Sequence, residues 1–292
     1  MGCPRRSSIL VSLPAIVLAT ANCSDELPPR AFDLLVSSRN TNAVKRYHGG
    51  TGEYIDDFIT SGAGGLSRPQ EVLLTSDGTL LVTGRDTSAV LKFAASTGEL
   101  LGEFTTGQAL SEPTKTSFGE DGMLYVSQWG PSARRVARFD AETGAFVDSV
   151  AEGLRQGMDH AWDAQGQLVV ASFEDGRIYT YAADGTRSTL VNAPLEGPVN
   201  LWFGENGNLF VIDWTLGDVI EFSPTGELIR VVLDTEANLE GYAMGPDGRL
   251  YVGNWSGHLV LSMELDGSDR RTFTMGDRPL NPNSLLFIPA PD

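Results

Sequence analysis

Two sets of residues in this chain have types and spacing that could do chemistry. The first is Glu71, Lys115, Asp159, Asn200, Gly241 and Ser284, which fall at equivalent points of a recurring unit. Carboxylate and amide oxygens suit hard cations. Glu71, Asp159 and Asn200 are therefore a candidate site for a divalent cation such as calcium. His160 follows Asp159 directly. Beside a bound cation that polarised a carbonyl and activated water, it would be the general base of a hydrolase. Lys115 counts against that reading, because an ammonium repels a nearby cation. A solvated channel with a lysine–carboxylate pair is the plainer alternative.

The second set is Arg39, Arg85, Trp129, Phe173, Trp214 and Trp255. Four consecutive aromatic positions and two arginines could grip a sugar, an aromatic acid or a peptide. With Lys115 these residues form the candidate ligand-binding set. The alternative is that the rings wedge between neighbouring structural units.

Both sets are positioned by a repeat. A first turn recurs at Asp77-Gly78, Asp121-Gly122, Gln165-Gly166, Asn206-Gly207 and Asp247-Gly248. Its period of roughly 40–45 residues is that of propeller blades or solenoid coils. A second turn recurs at Thr51-Gly52, Thr97-Gly98, Thr143-Gly144, Asp184-Gly185, Thr225-Gly226 and Asp266-Gly267. Asp-Gly between short apolar segments has the chemistry of a two-residue hairpin turn with positive φ. Residues 239–273 give the cleanest unit, four short strands in a row. The N-terminal copy lacks a first strand, and residues 283–288, NSLLFI, are a first strand with nothing after it. Joining them closes a ring and removes exposed sheet edges. The expectation is an all-β, six-bladed β-propeller of four-stranded antiparallel blades over residues 31–292, with one blade built from both chain ends.

At this point the chain resembles the superfamily of NHL-repeat, YWTD and gluconolactonase-like propellers. Arg68-Pro69 followed by Asp77-Gly78-Thr79-Leu80-Leu81-Val82 is similar to an NHL repeat opening. Leu250-Tyr251-Val252 with Leu265-Asp266-Gly267-Ser268 and Arg270-Arg271 is similar to a YWTD blade. The resemblance implies the architecture. It does not choose among the lactonases, lyases and partner-binding modules that share it. The NHL pattern has glycine at the position of Glu71 and its equivalents. The metal-binding asparagine of gluconolactonases falls here on Val199, with Asn200 one place late and on the opposite strand face.

In such a ring both tight turns lie on one face and the longer connections on the other, where function is usually grafted. The first residue set is expected at the channel mouth on that loop-bearing face. The ring one residue earlier holds Gln70, Thr114, Met158, Val199, Glu240 and Asn283.

Composition sets outer limits. The chain has 292 residues, 41% of them hydrophobic, with 33 Gly and 15 Pro, which suits a turn-rich β domain. A net charge of −17 argues against nucleic acid, which requires a basic footprint. Three histidines cannot supply a three-histidine zinc site, because His48 lies by a tight turn far from His160. No nucleophile elbow is present.

Arg5 and Arg6 precede the apolar run 9–19, so residues 1–22 read as an export signal peptide. Residues 23–30 read as a short tether, with Cys23 a candidate for lipidation. The protein is then periplasmic, a cell-surface lipoprotein or secreted, touching membrane only through that lipid. The leading expectation is an exported monomer that binds a protein partner or a small polar or aromatic ligand without catalysis. The alternative is a divalent-metal-dependent hydrolase or lactonase acting at the channel mouth.

Overall fold

The structure is a computed structural model that describes residues 31–291. The expected signal peptide, the tether and Cys23 lie outside the described residues.

Short runs of alternating apolar and polar residues, punctuated by glycine turns, form six sheets of four antiparallel strands. Blade 1 places Pro282–Pro289 innermost, followed by Phe32–Ser38, Ala43–His48 and Tyr54–Ile59. Blade 2 begins with Pro69–Leu74, blade 3 with Pro113–Phe118 and blade 4 with Gly157–Trp162. Blades 5 and 6 begin with Pro198–Phe203 and Leu239–Met244. The chain is a six-bladed β-propeller, closed as the sequence implies. Leu34 pairs with Phe287, Leu35 with Leu286 and Val36 with Leu285, so the two chain ends share one ladder.

The turns differ in one respect from the sequence expectation. Each Asp-Gly closes a three-residue loop instead of a two-residue one. Gly248 N–H donates to Gly245 O at 2.9 Å, and Gly245 N–H to Arg249 O at 2.8 Å. Only the glycine, at φ +79°, is left-handed. This is a type I turn followed by a left-handed glycine, the next most common hairpin connection. Five of the six second-turn glycines, all but Gly185, also seat their blade on its predecessor. A Cβ on Gly98 would lie 1.9 Å from Phe58 O, and one on Gly144 1.8 Å from Phe104 O.

Apolar side chains fill the spaces between blades. Val211, Ile212, Val219 and Phe222 of blade 5 are all 0% exposed. Each such side chain contributes about 1.5–3 kcal/mol by leaving water.

Every innermost strand begins with a register shift, and this positions the site. In blade 2, Pro69 pairs with Gly84 while Glu71 pairs with Thr83, leaving Gln70 as an extra residue. The same irregularity falls between Pro113 and Thr116, Gly157 and His160, Pro198 and Asn200, and Leu239 and Tyr242. A β-bulge re-aims side chains that simple alternation would send to opposite sheet faces. Gln70 and Glu71, or Val199 and Asn200, therefore both address the central axis, at two different depths.

Candidate functional site

The sequence-predicted residues separate into two cavities stacked along the axis. The upper one lies on the loop-bearing face and has a volume of about 330 Å³. Its wall is the complete second set, Arg39, Arg85, Trp129, Phe173, Trp214 and Trp255, and its floor is Gln70, Met158, Val199 and Glu240. The lower one, about 470 Å³, is lined by Glu71, Lys115, Asp159, His160 and Asn200 with the later residues of the innermost strands.

One backbone bond, repeated in every blade, fixes the wall. Each wall residue directly follows a second strand, and its N–H reaches the carbonyl of the residue just before an innermost strand. Arg85 N–H donates to Arg68 O at 3.1 Å, Trp129 to Glu112 O at 3.0 Å and Phe173 to Gln156 O at 3.0 Å. Trp214 donates to Gly197 O at 2.8 Å, Trp255 to Asn238 O at 2.8 Å and Arg39 to Asn281 O at 3.2 Å. Arg68, Glu112, Gln156 and Asn281 adopt φ between +47° and +59°, a left-handed backbone uncommon outside glycine.

The six side chains then touch in sequence around the cavity. Ring centroids lie 4.8 Å apart for Trp129–Phe173, 6.2 Å for Phe173–Trp214 and 5.4 Å for Trp214–Trp255. The Arg85 guanidinium sits 4.9 Å from the Trp129 ring, and that of Arg39 5.9 Å from the Trp255 ring. Trp129, Phe173 and Trp214 also pack against the core of blades 4 to 6. They are half-buried, each with one face committed to packing and another to the cavity.

The two arginines differ in charge balance. Arg85 Nε donates to Glu112 Oε2 at 2.7 Å, so its charge is met. Arg39 makes no ion pair among the described residues, and its buried Nε has no hydrogen-bond partner. Burial, and then the like charge of Arg85, lower its pKa. On the floor, Gln70 is 1% exposed and its Oε1 accepts no hydrogen bond. Glu240 accepts from Asn283 Nδ2 at 2.9 Å. Burial pushes its carboxyl up to about 7, against the pull of Lys115, Arg39 and Arg85.

The first set lies below this floor, not at the mouth of the loop-bearing face. The bulges are the reason, since they turn the earlier residue upward and the later one down. These side chains form a belt around the axis. Ser284 Oγ donates to Glu71 Oε1 at 2.7 Å, and Lys115 Nζ pairs with Glu71 Oε2 at 3.2 Å. Asn200 Nδ2 donates to Asp159 Oδ2 at 3.1 Å, while Gly241 N–H donates to Asn200 Oδ1 at 2.8 Å. A Cβ at Gly241 would lie 2.8 Å from the Asn283 carbonyl, so glycine is required where the neighbouring strand closes in.

Lys115, placed by sequence among ligand-binding residues, is 2% exposed and lines only the lower cavity. It donates to Gln70 O at 3.2 Å and also to Asn283 O. Burial alone would lower its pKa, but Glu71, Glu240 and Asp159 together raise it. Asp159 is pushed up to about 6 by burial, opposed by Lys115.

The belt residues do not fit a divalent cation. The ammonium of Lys115 already holds Glu71, and Asn200 and the His160 N–H engage Asp159. Among the described residues no three acidic, histidine or cysteine side chains converge as a metal site. The His160 ring is 4% exposed and bonded at 2.8 Å to Ser117 Oγ through Nε2 and at 2.8 Å to Ser127 Oγ through Nδ1. Burial lowers its pKa to about 3, which leaves a neutral imidazole too weakly basic for general-base work near neutrality.

Sequence reasoning gave Gln70, Glu240 and Asn283 no role, although it aligned them. Glu112 carried no signal, because its importance depends on which arginine it meets.

No protein-family profile and no curated protein matches the sequence. Solved structures do. The chain is similar to a structure of a nidogen/laminin complex, with a TM-score of 0.71 and 16% identity over 88% of this chain and 98% of the other. A protein of unknown function from Bacteroides caccae aligns with a TM-score of 0.68 and 14% identity, over 88% and 99%. Virginiamycin B lyase from Staphylococcus aureus aligns with a TM-score of 0.64 and 12% identity, over 88% and 85%. At these identities the likeness shows the fold, a propeller shared by binding proteins and enzymes alike.

Proposed function

We propose that this protein is a binding propeller whose upper cavity captures a compact ligand, free in solution or presented as a side chain by a partner protein. The observation that carries this is the unbroken wall from Arg85 through Trp129, Phe173, Trp214 and Trp255 to Arg39 around a cavity of about 330 Å³. That volume lies at the lower end for small-molecule sites, whose walls are mainly aromatic and apolar with a few placed polar groups. No serine, cysteine or histidine lines the cavity, so binding is favoured over nucleophilic catalysis. The likeness to the nidogen/laminin structure supports a protein partner as the carrier of the captured group. The leader sequence supports export, with Cys23 the point of attachment where a lipid is added.

The test is a ligand screen read by thermal shift and by isothermal titration, repeated on a Trp214→Ala/Trp255→Ala double variant. Binding should disappear while the circular dichroism of the ring is retained. Hits that bind the double variant with unchanged affinity would remove the upper cavity as the site.

A further inference from the structure

The upper cavity holds two buried polar atoms without partners. Arg39 Nε has no acceptor, and no carboxylate pairs with its guanidinium among the described residues. Gln70 Oε1 has no donor, and its side chain is 1% exposed. Buried polar groups are nearly always paired, and an orphan costs roughly 1–3 kcal/mol. Two orphans of opposite kind on residues that line one small cavity describe the complement of a molecule, once either side chain turns to meet it. The free guanidinium asks for an acceptor with negative charge, and the free amide oxygen asks for a donor. Both belong to the adjacent blades 1 and 2, and across from them the curved aromatic surface of blades 3 to 6 favours a flat ring by stacking.

The rest of the wall narrows the class further. Arg85 is already neutralised by Glu112, so the cavity offers one open cationic fork and not two. One guanidinium matches one planar carboxylate through two parallel hydrogen bonds. The volume of about 330 Å³ leaves room for a fused ring but not for a polymer chain. A cationic ligand is disfavoured by the unpaired Arg39, despite the aromatic wall. Glu240, the acid on the floor, has its carboxyl pushed up to about 7 by burial, so it offsets Arg39 only in part near neutrality and less below it.

We propose that the cavity takes a planar aromatic carboxylate bearing an N–H or O–H donor. Its ring stacks on the Trp129–Trp255 arc, its carboxylate meets Arg39 and its donor meets Gln70 Oε1. This rests on the upper cavity being the binding site, and it adds the chemistry of the ligand.

Three probes separate the contributions. Indole-3-carboxylate has the ring, the charge and the N–H. Indole-3-carboxamide lacks the charge, and 1-methylindole-3-carboxylate lacks the donor. Titration calorimetry at low ionic strength should give indole-3-carboxylate at least about tenfold tighter binding than either, the factor one charge-assisted hydrogen bond supplies. Arg39→Gln should erase its advantage over the carboxamide. Gln70→Met should erase its advantage over the N-methyl compound. Both variants are first checked for wild-type circular dichroism and melting. Equal affinity for all three probes, lost together in Trp214→Ala, overturns the anion assignment and leaves the cavity as the site. No binding of any probe at millimolar concentration also overturns it, and the ligand screen above then decides the cavity separately.

Discussion

Asn283 donates its side-chain amide to Glu240 at 2.9 Å, which ties the closing strand of the ring to the floor of the upper cavity. The same residue accepts from Trp255 Nε1 at 3.1 Å through Oδ1, and its carbonyl accepts from Lys115. One residue therefore joins the aromatic wall and the acidic floor through its side chain and the belt beneath through its backbone. It arrives on Pro282–Pro289, so the site is complete only when the two chain ends have met. Asn283→Leu leaves a buried carboxyl and an indole N–H unpaired. It should cost about 1–3 kcal/mol in urea unfolding and shift Trp255 emission. A loss below about 0.5 kcal/mol, within the range of neutral surface changes, would show that these ties carry no weight.

Glu240 should make stability depend on pH. In the folded chain its carboxyl stays protonated up to about pH 7, whereas its ordinary value is 4.5. The folded state therefore holds an extra proton between these values, and this group's contribution to stability falls as pH rises across that interval. Glu240→Gln keeps an acceptor for Asn283 and cannot ionise. It should match wild type near pH 4 and exceed it by roughly 1–3 kcal/mol at pH 8. Equal pH profiles for the two proteins would contradict the burial argument. Binding of an anion beside Glu240 should likewise weaken as pH rises through 7. Lys115, Arg39, Arg85 and Glu71 are the charged groups that bear on it.

The ring was legible in the sequence because glycine turns recur at a fixed period and only a closed fold reconciles five first turns with six second ones. The aromatic and arginine wall was legible for the same reason, since aligned positions occupy equivalent places. The depth of the belt was not legible. Alternation along a strand predicts opposite faces for Val199 and Asn200, yet the bulge after Pro198 turns both toward the axis. Bulges leave no residue signature here, because the extra position is Gln70 in one blade and Val199 in another. The pairing of Arg85 with Glu112 and the isolation of Arg39 depend on loop geometry that composition does not reveal.

Glu112 is the natural control for the charge argument. It neutralises Arg85 from the loop before Pro113–Phe118, outside the group of cavity-lining residues. Glu112→Gln keeps a hydrogen-bond acceptor for the guanidinium and removes the countercharge, opening a second cationic fork. Affinity for indole-3-carboxylate should rise about three- to tenfold at low salt, and the gain should shrink at 0.5 M sodium chloride through screening. Unchanged affinity at both salt concentrations would mean that Arg85 does not sense the ligand.

Lys115 tests whether the belt is structural or a metal site. A buried ion pair that loses one partner leaves an uncompensated charge, at a cost of about 3–5 kcal/mol. Lys115→Met should therefore destabilise the ring by that order, since Glu71 would lose its ammonium at 3.2 Å and two backbone carbonyls would lose a donor. Adding Glu71→Gln should recover a large part of the loss, because the double variant has no unpaired charge at that point. In the wild type, millimolar calcium should leave the melting temperature unchanged, since Lys115 already holds Glu71 and Asn200 holds Asp159. A calcium-dependent rise that vanishes in Asp159→Ala would reverse this reading. It would make Glu71, Asp159 and Asn200 a cation site and bring hydrolytic chemistry back to the lower cavity.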